Sequence, residues 1–136
     1  MQVAVDCENP ENLANFWAEV LRYTVMEAPS GYATWSDFSK SAATFPGEGW
    51  IRIADPDGRG PTILFHRVPE AKTVKNRVHL DLFVTPVDKG REHHALVDTE
   101  VGRLVALGAT HRWTKADETD YFAVLHDPEG NEFCVV

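Results

Sequence analysis

One turn motif occurs twice in this 136-residue chain, at equivalent points of its two halves. The first half contains WIRIADPDG and the second contains FAVLHDPEG, so Asp-Pro-acid-Gly follows an apolar run in both. A type I turn favours Asp first, Pro second and Gly last, and each segment therefore predicts a strand that enters a tight turn. One such turn is common in unrelated loops, but two at matching positions predict an internal duplication.

The segments around these turns also repeat. VAVDC predicts a strand, and ENPENLANFWAEVLRY predicts a helix with Asn9 as its N-cap, Pro10 at its first position and Glu11 in its first turn. The second half opens with the predicted strand RVHLDLFV, and a helix is predicted from about Asp88 to Leu107, with a C-cap glycine after it. Helical spacing predicts the buried stripe of the first helix: Leu13, Phe16, Trp17, Val20 and Leu21.

The rest of each half predicts strands. TVMEA, YATWSDF, GWIRIA and PTILFHRV in the first half are separated by Pro and Gly, as are THRWT, YFAVLH and NEFCVV by turns in the second. The chain therefore predicts an α+β fold of two tandem β-α-β-β-β modules within a single domain, 1–136. We expect module one at 1–68, a linker at 69–75 and module two at 76–136.

Charge and composition argue against several classes of partner. Lys and Arg total 13 against 21 Asp and Glu, and a net charge of -8 disfavours nucleic acid and anionic membranes. No run of about 18 apolar residues could span a bilayer, and the first residues do not resemble a signal peptide, so we expect a cytoplasmic protein. Two cysteines, Cys7 and Cys134, are too few for a disulfide framework and are expected to be reduced.

Four segments carry a family resemblance: ENLANFWAEVL, KTVKNRVHLDL, EVGRLVALGAT and DPEGNEFCVV. They resemble the vicinal oxygen chelate superfamily, which includes glyoxalase I, extradiol dioxygenases, fosfomycin-resistance enzymes and bleomycin-resistance proteins, and in particular its glyoxalase-like branch. The resemblance covers essentially the full chain. It implies the glyoxalase/bleomycin resistance fold, in which the two modules form an incomplete barrel around a cleft, and it implies a homodimer.

The resemblance also implies where a metal site would lie, because relatives hold their metal with side chains from the first and last strands of each module. Gln2 and His79 match two of the four positions. The second position falls at Leu64, or at Phe65 if the alignment shifts by one, and neither side chain binds metal. The fourth falls at Cys134, where glyoxalase-type relatives have Glu. Since a catalytic centre usually needs three protein ligands, we expect no cofactor, with a divalent metal on His79, Gln2 and Cys134 as the alternative.

Other residues point to binding or proton transfer. His79 and Asp81 are two apart on a predicted strand and share a face, which suits an acid–base pair, although Asp81 could instead pair with a basic side chain. By the same spacing, His66 shares a face with Leu64, and both are candidate ligand contacts. Aromatic side chains predicted on strands can line a small-molecule site or fill a core; they are Trp35, Phe38, Trp50, Trp113 and Tyr121.

Two groups of charged or polar residues are expected at the surface. His93 and His94, at the start of the second helix, are predicted to be solvated. The basic residues of EAKTVKNR are predicted to form a solvated linker, and an anion site or a dimer contact is the alternative.

Three functions are compatible with these residues. The first is a lyase or isomerase whose metal chelates two neighbouring substrate oxygens, with His79 as a ligand. The second is a metal-free protein that sequesters a small molecule, as antibiotic-resistance relatives do, and the third is a cofactor-free enzyme that uses His79 and Asp81. Leu64 weakens the first, so the overall hypothesis is a small-molecule-binding glyoxalase-like protein with an incomplete metal site, which is a lyase or isomerase if it is an enzyme. A metal-free sequestering protein is the alternative.

Overall fold

A computed structural model describes residues 1–84, 91–117 and 120–136, with the backbone alone at Arg91. No helix in these ranges has the length and apolar character needed to cross a membrane. The chain divides into two compact units, Met1–Lys72 and Thr73–Val136. The elements of the first unit are β1 (Gln2–Cys7), α1 (Pro10–Leu21), β2 (Thr24–Val25), α2 (Trp35–Ala42), β3 (Trp50–Ala54) and β4 (Thr62–Arg67). Those of the second unit are β5 (Asp81–Leu82), α3 (Arg91–Ala106), β6 (Thr110–Ala116), β7 (Tyr121–His126) and β8 (Glu132–Val135).

The two units have the same sheet topology. The strand order is β1-β4-β3-β2 in the first unit and β5-β8-β7-β6 in the second. In each, the first and last strands pair in parallel and the other neighbours pair antiparallel. The predicted duplication of a β-α-β-β-β unit and the α+β fold class are confirmed, with α2 as an addition to the first unit.

The duplicated turns perform the same task in both units. The Asp55 carboxylate accepts hydrogen bonds of 2.8–3.0 Å from three backbone N–H groups of its own turn, and the Asp127 carboxylate accepts two at 2.9 Å. The hydrogen bonds from residues 57 and 60 lower the pKa of Asp55 below its usual value. Each aspartate therefore closes the turn that the sequence motif predicted.

Helix α1 begins as its sequence predicts. The Asn9 side chain accepts a hydrogen bond from the backbone N–H of Asn12, and Pro10 occupies the first helical position. Its buried residues include Leu13, Phe16, Trp17 and Val20. The helix packs on β3 and β4, whose buried residues are Ile53, Ile63 and Phe65. Because side chains alternate along a strand, Leu64 and His66 lie on the other face of this sheet, and we call the face away from the long helix of each unit its far face.

Helix α3 ends in a Schellman motif. Gly108 has φ +114°, its N–H donates to the carbonyl of Val105, and the N–H of Ala109 donates to the carbonyl of Leu104. The predicted C-cap glycine is therefore confirmed. The predicted start near Asp88 lies outside the described residues.

The segment YATWSDF was predicted to be a strand, and this prediction is wrong. Trp35 and Phe38 lie on helix α2, not on a strand. The Thr34 side-chain oxygen accepts from the N–H of Asp37 at 3.1 Å, and its hydroxyl donates to the Asp37 carboxylate at 2.8 Å. This reciprocal cap starts a helix, and it prevails over the alternating pattern of aromatic and polar residues.

The prediction that His93 and His94 are solvated is also wrong. His93 is 7% exposed, and its Nε2 lies 3.0 Å from the carbonyl oxygen of Tyr121. His94 stacks on the Tyr121 ring, with centroids 3.9 Å apart. His93 precedes the buried Val97 by one helical turn, so it continues the buried stripe of α3 although it is polar.

Candidate functional site

Three potential metal ligands come together in the second unit. Asp81 on β5 is the register partner of Cys134 on the parallel strand β8. His79 precedes β5, and its Nε2 lies 3.3 Å from Asp81 Oδ1. One ligand atom from each of the three residues lies within 4.8 Å of the others. The side chains of His79 and Asp81 are 51% and 45% exposed, so solvent reaches this cluster.

The Cys134 thiol is half-buried beside a negative charge. Burial, followed by the charge of Asp81 and a hydrogen bond to it, raises the pKa of Cys134 to about 11. The thiol is therefore protonated at neutral pH and is a poor nucleophile, because the thiolate is the reactive form. A metal that binds here must displace this proton.

The donor set of the cluster fits zinc. An imidazole nitrogen, a carboxylate oxygen and a thiol sulfur are all common zinc ligands, and the thiol disfavours metals that prefer oxygen alone. Two donors that each lie about 2.0–2.1 Å from one tetrahedral zinc are about 3.3 Å apart. The observed distance between His79 Nε2 and Asp81 Oδ1 is 3.3 Å. The sequence interpretation treated Asp81 only as a proton-transfer partner, although its spacing from His79 already placed both on one side of the strand.

The strand registers of the two units relate Leu64 to Cys134. Ala4 is paired with Leu64 across β1 and β4, as Asp81 is paired with Cys134 across β5 and β8. Leu64 pairs with the residue three before the aspartate of the first duplicated turn, and Cys134 pairs with the residue three before the aspartate of the second. The two residues therefore hold equivalent places in the two sheets. The second unit has a carboxylate opposite its last strand, where the first unit has a methyl group.

Gln2 lies in the first unit as the exposed first residue of β1. It precedes Ala4 by two residues, as His79 precedes Asp81, so Gln2 and His79 are equivalent in their units. Phe65 is fully buried under α1, which leaves Leu64 as the far-face residue at this level of β4. The assignment of Gln2 as a metal ligand stays a prediction.

His66 is held between two carboxylates on the far face of the first unit. It is the register partner of Asp6 on β1 and of Trp50 on β3. Its Nε2 lies 2.8 Å from Glu48 Oε1, and its Nδ1 lies 3.6 Å from Asp6 Oδ1. The Trp50 ring stacks on it, with centroids 5.4 Å apart and planes 2° from parallel. These contacts fix the imidazole in one orientation.

Glu48 is a residue that the sequence interpretation missed. Its side chain is 6% exposed and accepts hydrogen bonds from the backbone N–H groups of Thr44 and Phe45 as well as facing His66. Burial opposes its ionisation, but the hydrogen bonds from His66, Thr44 and Phe45 together outweigh burial and lower its pKa. Its loop position in PGEGW carries no periodic signal, so only the folded structure brings it to His66.

Arg52 was also missed. It is half-buried on the far face, where it is the register partner of Leu64. Its buried Nε has no hydrogen-bond partner among the described residues. An unsatisfied buried donor is costly, and an anionic group could satisfy it. The alternation in WIRIA, which places Arg52 on the face of Trp50, was the available signal.

Trp35 and Tyr121 do not lie on the far faces. Trp35 is on α2, where its indole N–H donates to the carbonyl of Met26 at 2.6 Å. Tyr121 begins β7 but faces α3, since its ring stacks on His94 and its hydroxyl donates to Asp98 Oδ1 at 2.8 Å. This hydrogen bond, more than burial, raises the pKa of Tyr121.

Two further observations concern the second unit. Trp113 packs edge-to-face on Phe122, which shares the far face with Cys134 by strand alternation. Lys75, in the basic segment EAKTVKNR, forms an ion pair with Glu132 at 2.7 Å, and this contact lowers the pKa of Glu132. Lys75 is thus paired within its own unit.

Comparisons with known proteins agree with this architecture. A family model described as a glyoxalase-like domain matches residues 2–136. No curated protein sequence matches the chain significantly. The solved structures that share the fold include a glyoxalase/bleomycin resistance protein/dioxygenase family enzyme from Burkholderia phytofirmans, with TM-score 0.60, 18% identity and coverage of 98% of this chain and 94% of that chain.

Two similar structures are fosfomycin resistance proteins named FosX. The protein from Listeria monocytogenes, in complex with Mn(II) and 1S,2S-dihydroxypropylphosphonic acid, has TM-score 0.65, 10% identity and coverage of 99% of this chain and 88% of that chain. The protein from Mesorhizobium loti has TM-score 0.62, 12% identity and coverage of 99% and 87%. At these identities the structures establish the shared fold alone. Because the family model spans residues 2–136, the chain belongs to the glyoxalase-like domain family of the vicinal oxygen chelate superfamily.

Proposed function

We propose that this glyoxalase-like protein binds a divalent metal of the zinc class through His79, Asp81 and Cys134 and acts as a lyase or isomerase on a small molecule. The observation that carries the proposal is the set of three different donor atoms within 4.8 Å of one another. The ligand positions that the resemblance implies are one short, because Leu64 stands at the second of them. Asp81 supplies a carboxylate from within the second unit.

The exposure of the cluster supports a catalytic role over a structural one. Structural zinc sites are closed by four protein ligands, whereas catalytic sites keep a position open for water or substrate. His79 and Asp81 are each about half exposed, which leaves that access. A bound metal would act as a Lewis acid on a substrate oxygen. The residues themselves would orient the donor atoms, and Cys134 would release its proton on binding.

The test is a titration of chelator-treated protein with zinc by calorimetry and with Co(II) by absorption spectroscopy. We expect one equivalent of metal and a thiolate-to-cobalt charge-transfer band. His79→Ala, Asp81→Asn and Cys134→Ala should each weaken metal binding by about tenfold or more. Cys7→Ala is the matched cysteine control, since Cys7 lies in the first unit and its thiol donates a hydrogen bond to the carbonyl of His66.

Two results would count against the metal centre: unchanged zinc affinity in Cys134→Ala, or no binding at micromolar zinc. Activity is then measured with and without zinc on a panel of small molecules. The panel includes fosfomycin, because the FosX proteins are fosfomycin resistance proteins. Turnover that needs zinc and His79 supports the lyase or isomerase assignment. Turnover without metal that still needs His79 and Asp81 would favour proton transfer by this pair.

A second candidate function is metal-free binding of a small anion on the far face of the first unit. The unsatisfied Nε of Arg52 favours it, together with the rigid pair of Trp50 and His66 and the apolar Leu64. In a thermal-shift screen of small anions, Arg52→Gln should abolish the rise in melting temperature that a bound anion causes in wild type. Arg22→Gln, at the end of α1, should retain that rise. A homodimer and a cytoplasmic location stay predictions, to be checked by light scattering and by cell fractionation.

A further inference from the structure

The first unit contains a pocket that shares only Trp50 with the second candidate site and no residue with the proposed metal centre. It has a volume of about 870 Å³ and lies among the start of α1, helix α2 and the loop of residues 43–49. This volume is within the range of about 300–1,000 Å³ that is usual for small-molecule sites. All of its lining residues belong to the first unit, so the pocket is formed by that unit alone.

Three aromatic side chains line the pocket, and two of them are held in place. They are Trp35, Phe45 and Trp50, and the apolar Ile51 lines the pocket beside them. The Trp35 indole N–H is bonded to a backbone carbonyl, and the Trp50 ring is stacked on His66. The short β2 leaves the edge of the sheet uncovered at Trp50. The backbone N–H of Trp50 donates instead to Ser39 Oγ at 3.0 Å. A flat ring entering this pocket therefore meets walls that are already formed.

Two cations also line the pocket, Lys40 on α2 and Arg67 at the end of β4. Within the described part of the chain, neither side chain forms an ion pair or a side-chain hydrogen bond. Of the two acids in the lining, Glu48 is already engaged by His66 and two backbone N–H groups, and Glu11 is exposed on the first turn of α1. The pocket therefore has two cations with no side-chain partner among the described residues, against one acid that is already hydrogen-bonded and one that is exposed.

The geometry points to a binding site for a small aromatic carboxylate in this pocket, with its ring against Trp35 and Trp50 and its carboxylate between Lys40 and Arg67. Guanidinium and ammonium groups form strong charge-assisted hydrogen bonds with carboxylates, and aromatic walls favour a flat ring. Lys40 and Arg67 are available to an anion because neither is paired among the described residues, although the chain as a whole is acidic. The inference needs no metal and does not depend on the proposed metal centre.

The first measurement locates the ligand with the four tryptophans of the chain. The probe is 2-naphthoate, and 2-naphthylmethanol is the control that has the same rings without the charge. In proton–nitrogen correlation spectra of the full-length protein, 2-naphthoate should shift the indole signals of Trp35 and Trp50. The signal of Trp113, which lies in the second unit, should stay in place. Shifts at Trp113 without shifts at Trp35 and Trp50 would overturn the site.

The second measurement tests the role of the cations. Lys40→Gln and Arg67→Gln should each weaken 2-naphthoate binding by about tenfold or more, because each removes a charge-assisted contact. Binding of 2-naphthylmethanol should change by less than about twofold, since it lacks the carboxylate. Arg59→Gln is the matched control, because Arg59 is exposed, lies outside the pocket and pairs with Asp57 at 3.4 Å.

Three outcomes would refute the inference: no 2-naphthoate binding at millimolar concentration, equal affinity in wild type and both cation variants, or equal affinity for the acid and the alcohol. His79→Ala should bind 2-naphthoate as wild type does. If His79→Ala loses zinc binding but keeps 2-naphthoate binding, the pocket and the metal centre are independent sites, and each proposal can fail without the other.

Discussion

Asp81 and Cys134 are register partners on the parallel strands β5 and β8, and a carboxylate oxygen of Asp81 lies within 4.8 Å of the Cys134 sulfur. The equivalent pair in the first unit is Ala4 and Leu64, which carries no polar group. Two units with one topology have therefore diverged at the same place in the sheet. The second unit carries a carboxylate and a thiol at this place, and the first carries only apolar side chains.

The Cys134 thiol should become more acidic when Asp81 loses its charge. Asp81→Asn removes both the negative charge and the carboxylate hydrogen bond that oppose the thiolate. We expect the pKa to fall below its present value of about 11, although burial should keep part of the increase. The measurement is the pH dependence of iodoacetamide alkylation in a Cys7→Ala background without metal. An unchanged profile would show that burial alone sets this pKa; Asp98→Asn is the control.

Glu48 should make stability depend on pH in acid. Its pKa is lowered in the folded protein, so its contribution is fully present above the normal glutamate pKa and is lost as pH falls through the lowered value. The difference in unfolding free energy between wild type and Glu48→Gln should therefore be largest near neutral pH and shrink below about pH 4.5. Urea denaturation at several pH values measures it. A constant difference, or an equal effect of the exposed control Glu27→Gln, would contradict this account.

The duplicated fold could be predicted from sequence because its signals are local. The turns at Asp55 and Asp127, the cap at Asn9 and the glycine at 108 each act through neighbouring residues, and all four behave as their patterns indicate. Local rules suffice where the partner of a side chain lies within a few residues in the chain.

The candidate sites were harder to predict because their partners are distant in sequence. Glu48 lies 18 residues from His66, and Cys134 reaches Asp81 only through the pairing of β8 with β5. The sequence suggested His79 and Cys134 as ligands through resemblance, but only the register of β5 with β8 places Asp81 beside Cys134. The pocket around Trp35 could not be predicted, because the alternating pattern of YATWSDF indicates a strand, whereas this segment contains the start of helix α2.

The cap of α2 can be tested directly. Thr34→Ala removes both hydrogen bonds to Asp37 and should destabilise the protein by about 1 kcal/mol, the usual cost of losing an N-cap. Thr34→Ser keeps the hydroxyl and should cost much less. Urea denaturation gives the free energies, and the indole signal of Trp35 reports on the first turn of the helix. Equal stability of Thr34→Ala and wild type would show that packing, and not the cap, holds α2.

Two glycines near the end of α3 should respond in opposite directions to the same substitution. Gly108 has φ +114°, a conformation that alanine adopts only with strain, and nothing lies within 4 Å of the position its Cβ would take. Gly108→Ala should therefore destabilise the protein by about 1 kcal/mol or more through backbone strain alone. Gly102 lies inside α3, its φ is not positive, and its Cβ would also meet open space.

Gly102→Ala should instead stabilise the protein by roughly 0.5–1 kcal/mol, because alanine loses less backbone entropy on folding into a helix than glycine does. Both substitutions add one methyl group without a clash, so the pair isolates backbone conformation from packing. Thermal and urea unfolding of the two variants, measured side by side, give the comparison. If both variants were destabilised equally, the methyl group itself would be the cause, and the Schellman motif would not be what ends the helix.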